Sequence, residues 1–155
     1  MKLIWKEIKE KEYGIVNIKI TIKQLGKKRS KISEKDFILE NKPSTVSELI
    51  KETVHSCVRE HNLRMEQKEV NPNPLTEGQI MDMSEIGKIA FGLNYNDKYA
   101  DEEKAFSVAL QAYEDGIVRI FKGNEELSDI NQVIDLNEDD VLTFLRLTML
   151  AGRMY

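Results

Sequence analysis

The stretch that most constrains the fold is Asp140 to Gly152, DVLTFLRLTMLAG, near the carboxyl end of the chain. Both of its alternating sets are apolar: Val141, Leu145, Leu147 and Met149 on one, Leu142, Phe144 and Leu150 on the other. A strand apolar on both faces belongs in the middle of a sheet with something packed on each side. The end of the sequence is therefore expected to lie at the centre of the fold.

The other elements must be arranged around it. Ile18, Ile20 and Ile22 alternate with Lys19, Thr21 and Lys23, so Ile15 to Gln24 is expected to be a strand with one buried face. Leu25 to Lys31, LGKKRSK, suits a solvated turn, and Lys35 to Glu40 supplies the returning strand of a hairpin. Residues 1 to 13 fit a short helix as well as a strand and stay unassigned. After Pro43, either Ser44 or Thr45 can cap a helix with Glu48 answering the first amides, and the helix is expected to run to about Asn62. Its stripe of Val46, Leu49, Ile50, Val54, Cys57 and Val58 must lie on a sheet.

Residues 63 to 115 change in character. A polar loop ends in NPNP, and Thr76 with Gln79 forms a capping box for a helix through about Ala90. A further helix is expected from Asp101 to Glu114, closed by Asp115-Gly116, before a short strand from Ile117 to Lys122 and a turn at Gly123-Asn124. At 155 residues the chain fits a single domain able to bury a core without disulfides or metals.

Charge and cysteine usage narrow the function classes. With 27 acidic and 23 basic residues the net charge is -4, which offers no overall positive field for a phosphate backbone. The single cysteine, Cys57, cannot form an internal disulfide. No stretch approaches the roughly 18 apolar residues of a membrane span, and Lys6 and Glu7 interrupt the first apolar run before a signal core develops. A cytoplasmic protein is expected.

No metal or cofactor site emerges. On a helix His55 stands about 200° round from Cys57, which leaves Cys57 and His61 together on one side, and two ligands do not make a zinc site. A buried cysteine with a partly exposed histidine is expected there. Asp135, Asn137 and Asp139 alternate as in a calcium loop, but the required glycine is Asp140 and the bidentate glutamate is Arg146. Neither a Ser-His-Asp order nor a phosphate-binding glycine loop is present, so no enzyme is expected.

The strand, hairpin, strand, helix, strand and last-strand order is that of the β-grasp. Locally, Arg119-Ile-Phe-Lys-Gly123 followed by Leu127 is similar to ubiquitin's third strand and glycine turn, and Asp129-Ile-Asn131 with Asp140 to Leu147 resembles the stretch leading into its last strand. The chain also resembles an uncharacterised bacterial family with phrases like TVSELI, ALQAYEDG and LTFLRLTMLAG. The resemblance implies an α+β, ubiquitin-like β-grasp fold, a mixed sheet on one long helix. Its core would be about residues 15 to 62 and 116 to 152, with a helical insertion at about 63 to 115 where ubiquitin has a brief connection.

What the resemblance implies for function is a noncatalytic protein-binding module. Phe121, Leu142, Phe144 and Arg146 would form a partner surface on the sheet face opposite the long helix. The alternative for that face is ordinary core, covered by the inserted helices. A second functional reading is a modifier or sulfur carrier activated at a terminal glycine, for which only Gly152 is eligible after removal of Arg153 to Tyr155. The partner expected is a protein, not nucleic acid or membrane, and self-association is left open.

Overall fold

The computed structural model describes residues 15–25, 30–70, 83–95 and 99–147. The expectations for residues 1 to 13, the tip of the first turn, the Thr76–Gln79 capping box, Met149, Leu150 and Gly152 lie outside those residues. Five strands and three helices are described: β1 (Val16–Leu25), β2 (Ser30–Leu39), α1 (Val46–Val70), α2 (Met83–Phe91), α3 (Glu102–Glu114), β3 (Val118–Lys122), β4 (Glu125–Glu126) and β5 (Val141–Leu147). The protein is α+β, with a mixed sheet in the order β2-β1-β5-β3-β4.

The carboxyl-proximal strand is central, as its composition requires. β5 runs parallel to β1, with Ile20 beside Leu142 and Ile22 beside Phe144, and antiparallel to β3, with Ile120 beside Phe144. Its register is set by the acidic turn before it. The Asp139 amide donates to the Asn17 carbonyl at 2.9 Å, and the Lys19 amide donates to the Asp140 carbonyl at 2.8 Å. Asp139 takes a left-handed φ of 66°, and the Asp140 carboxylate closes the turn by accepting from the Asn137 amide at 2.8 Å. Aspartate tolerates that backbone region better than most residues, so the acidic turn serves local geometry.

The hairpin is longer than the sequence suggests. β2 starts at Ser30, because pairing with β1 enforces an extended backbone on a polar run that reads as turn. The register shifts between Ile20 and Ile22, where Glu34 adopts φ 42° and its amide donates to Thr21 Oγ1 at 3.2 Å. The extra residue lies in β2, so Ile18, Ile20 and Ile22 of β1 alternate unbroken onto the buried face. The outer edge at Ile38 is plugged on both polar groups: its amide donates to Met83 Sδ at 3.5 Å and its carbonyl accepts from Ser56 Oγ at 2.7 Å. An edge strand blunted in this way offers less of a template for aggregation.

Thr45 is the cap of α1, its Oγ1 accepting from the Glu48 amide at 3.2 Å while Glu48 Oε1 accepts from the Ser44 amide at 3.1 Å. The helix continues past Asn62 to Val70. Its apolar stripe ends near Val58, but the following Leu, Arg, Met, Glu, Gln and Lys residues are good helix formers, and no glycine or proline intervenes before Pro72. Propensity carries the helix beyond the surface that buries it. α3 is capped by Asp101, whose Oδ1 accepts from the amides of Glu103 at 2.9 Å and Lys104 at 3.3 Å. Replacing Asp101 by Ala should cost about 1 kcal/mol of stability. Urea unfolding midpoints of the two proteins measure that loss, and equal midpoints would remove the cap from the account.

All three helices pack on one face of the sheet. Ile18, Ile20, Ile22, Phe37, Leu39, Ile120, Leu142 and Phe144 supply its floor, and Leu49, Ile50, Val54, Cys57, Ala90, Phe91 and Ala109 the helical side. The inserted helices α2 and α3 flank α1 and broaden the helical layer.

Candidate interaction face

Sheet parity separates the four residues expected to form a partner surface. Leu142, Phe144 and Arg146 alternate onto the helix-covered face, whereas Phe121 lies on the other with its cross-strand neighbour Thr143. Leu142 and Phe144 are 0% exposed, so they are core and not a binding surface. Phe144 meets Phe91 of α2 edge to face, with ring centroids 5.5 Å apart at 87°. Arg146 is half-buried and fastens the insertion: its Nη1 donates to the Ala90 carbonyl at 3.1 Å, at the C-terminal end of α2. Gly92 follows with φ 75°, and a Cβ at that position would stand 2.8 Å from Arg146 Nη2. Burial lowers the Arg146 pKa from its ordinary value.

The opposite face is different. Among the described residues no helix covers it. β1, β5 and β3 present Lys23, Leu145 and Arg119 in one cross-strand row, and Thr21, Thr143 and Phe121 in the next. Phe121, Thr143 and Leu145 are half-buried, Val141 is 37% exposed, and Lys23 and Arg119 are exposed. A depression of about 470 Å³ lies on this surface, lined by Lys23, Phe121, Gly123, Asn124, Thr143 and Leu145. Neither Lys23 nor Arg119 forms an ion pair among the described residues, whereas Lys19 is held by Asp36 across the hairpin. Glu126 faces Phe121 from β4. The outer set of β5, Val141, Thr143, Leu145 and Leu147, is thus only partly buried, so the expectation that both faces of the strand are packed holds for one face among the described residues.

A second concavity, of about 680 Å³, runs along the edge of β3 and is lined by Tyr113, Arg119, Glu126, Ser128 and Asp129 among others. The Tyr113 hydroxyl donates to the Leu127 carbonyl at 2.5 Å. Burial first, then the charges of Asp129 and Glu126, raise its pKa, so this phenol is held as a hydrogen-bond donor and not readied as a base.

The histidines and the cysteine part as helical spacing predicts, but their exposure differs. Cys57 is fully buried against α2. His61 is also buried, at 8% exposure, because its ring stacks on Tyr95 with centroids 4.3 Å apart. The partly exposed histidine is His55. Its Nδ1 stands 2.7 Å from Glu102 Oε1 and its Nε2 2.6 Å from Glu40 Oε2, while Arg59 Nη1 donates to Glu40 Oε1 at 2.9 Å. Burial lowers the His55 pKa, and the hydrogen bond and charge of Glu102 with the charge of Glu40 outweigh it, so the net shift is upward. The two carboxylates meet opposite ring nitrogens and do not converge on one point. No group of three or more His, Cys, Asp or Glu side chains among the described residues is placed to hold a metal ion. Sequence reasoning missed this cluster because Glu40 and Glu102 are far apart in the chain.

No helix among the described residues is long and apolar enough to cross a membrane. No family model, curated protein or solved structure matches the chain.

Proposed function

We propose that the protein is a noncatalytic interaction module of ubiquitin-like β-grasp build that binds a protein partner through the open face of its sheet, in the cytoplasm. The fold reading is supported by the strand order β2-β1-β5-β3-β4 with β1 and β5 parallel, and by one long helix packed across the sheet. The observation that carries the functional reading is the sheet face that no described helix covers, where Leu145 sits between the cations Lys23 and Arg119 and Phe121 lies in the next row. Aromatic and aliphatic anchors with charged residues around them are the usual anatomy of a protein interface. The chemistry selects a partner segment with an apolar side chain flanked by carboxylates.

Phe121→Asp is the test. Phe121 is half-buried on a face that no described helix covers, so the variant keeps its thermal unfolding transition. Affinity for a partner captured by the native protein should fall by about 2 kcal/mol, roughly 30-fold. Added salt should weaken native binding, since Lys23 and Arg119 act through solvent. Unchanged affinity in both Phe121→Asp and Leu145→Asp would refute the assignment of the face.

A further inference from the structure

We propose that His55 is a proton-operated clasp, closed when the imidazole carries both protons, which seats the start of α3 against α1. The ring on α1 is gripped from two sides, by Glu102 at the first turn of α3 and by Glu40 just after β2. These two carboxylates are the charges that act on the ring, and on its own helix Arg59 reaches Glu40 from the far side. A carboxylate accepts only, so serving both at 2.6 and 2.7 Å requires an N–H on each ring nitrogen, which only the imidazolium has.

Losing one proton forces a choice between the two carboxylates. Glu40 Oε2 is buried against His55 Nε2 at 2.6 Å and Arg59 holds the other Glu40 oxygen, so Glu40 is kept in place from both sides, whereas the Glu102 side chain is 41% exposed and can turn to water. The remaining proton therefore stays on Nε2, facing Glu40, and Nδ1 turns its lone pair on Glu102. Glu102 swings out, and the segment it anchors loosens. That segment includes Ala100, tied to α1 by two hydrogen bonds with the Asn62 amide group, at 2.7 and 3.3 Å. It also forms one wall of a cleft of about 240 Å³ lined by Leu93, Tyr95, Tyr99, Ala105 and Val108. Deprotonation frees that wall.

The sign follows from the raised pKa. The clasp contributes fully below the ordinary histidine value of 6.5 and is lost as pH climbs through the higher value of the folded protein. NMR titration of the full chain should find His55 titrating above 6.5. Hydrogen exchange at the amides of Ala100, Glu103 and Lys104, corrected for its intrinsic pH dependence, should quicken several-fold between about pH 6 and about pH 8.5. His55→Gln should flatten that profile, and Glu102→Gln should do the same if the first variant does not fold. A native His55 that titrates at or below 6.5, or corrected exchange that is equal at the two pH values, would overturn the clasp.

Discussion

Replacing Phe144 by Asp should abolish folding. The ring is 0% exposed, lies in the central strand between Ile22 and Ile120, and carries Phe91 of the insertion against its edge. The helical layer gives a carboxylate there no route to water, and the inner face around it is apolar. Removing the ring alone costs about 3–5 kcal/mol in comparable cores. The desolvated charge adds several more, against a total stability of about 5–15 kcal/mol for a domain of this kind. Circular dichroism should show loss of the cooperative transition, whereas Phe121→Asp, one strand away on the other face, keeps it. A folded Phe144→Asp protein would mean that the parity of β5 is inverted. On the sequence alone Phe144 stands as a candidate contact for a partner, and a binding defect in its Asp variant would then be taken for a lost interface. The structure makes that defect a loss of fold.

The second large effect is at Gly87, in the middle of α2. In an exposed helix, replacing glycine by Ala gains about 1 kcal/mol of propensity. Here the sign should invert. A Cβ would stand 2.7 Å from the Tyr95 hydroxyl oxygen, 2.9 Å from Cys57 Sγ and 3.0 Å from Cys57 Cβ. Neither neighbour yields easily: the Tyr95 hydroxyl donates to the Ser84 carbonyl at 3.0 Å and its ring stacks on His61, while Cys57 is fully buried in α1. Gly87→Val should cost about 3 kcal/mol by overpacking, and Gly87→Ala a smaller net amount. Denaturant midpoints measure both. Adding Cys57→Ala should recover part of the Gly87→Ala loss, because it removes one of the colliding atoms. A stabilised Gly87→Ala protein would mean that α2 does not pack this closely on α1.

How much of this was legible in the residues depends on the range of the interactions. The isoleucine alternation of β1, the apolar spacing of Asp101 to Glu114 and the start of the double apolar set of β5 are local signals, and each marks its element within a few residues of the observed bounds. The polar half of β2 and the two-residue β4 were invisible, since cross-strand pairing holds them and not propensity. The candidate surface was half legible. On the sequence alone Phe121 falls on one face with Leu142, Phe144 and Arg146, because the register between β3 and β5, and which parity of β5 meets the helices, are decided by where the insertion docks. That docking turns on Arg146 reaching Ala90 and on Gly87 meeting Cys57, contacts between residues far apart in the chain. The His55 cluster is of the same kind.

The central claim is that the strand at Val141–Leu147 is the interior ribbon of the sheet, paired with β1 on one edge and β3 on the other. Nuclear Overhauser contacts from the Phe144 ring test it most directly. The account predicts strong cross-peaks from that ring to the methyl groups of both Ile22 and Ile120, its register partners on either side. Cross-peaks to one isoleucine and not the other would put the strand at a sheet margin and contradict the architecture.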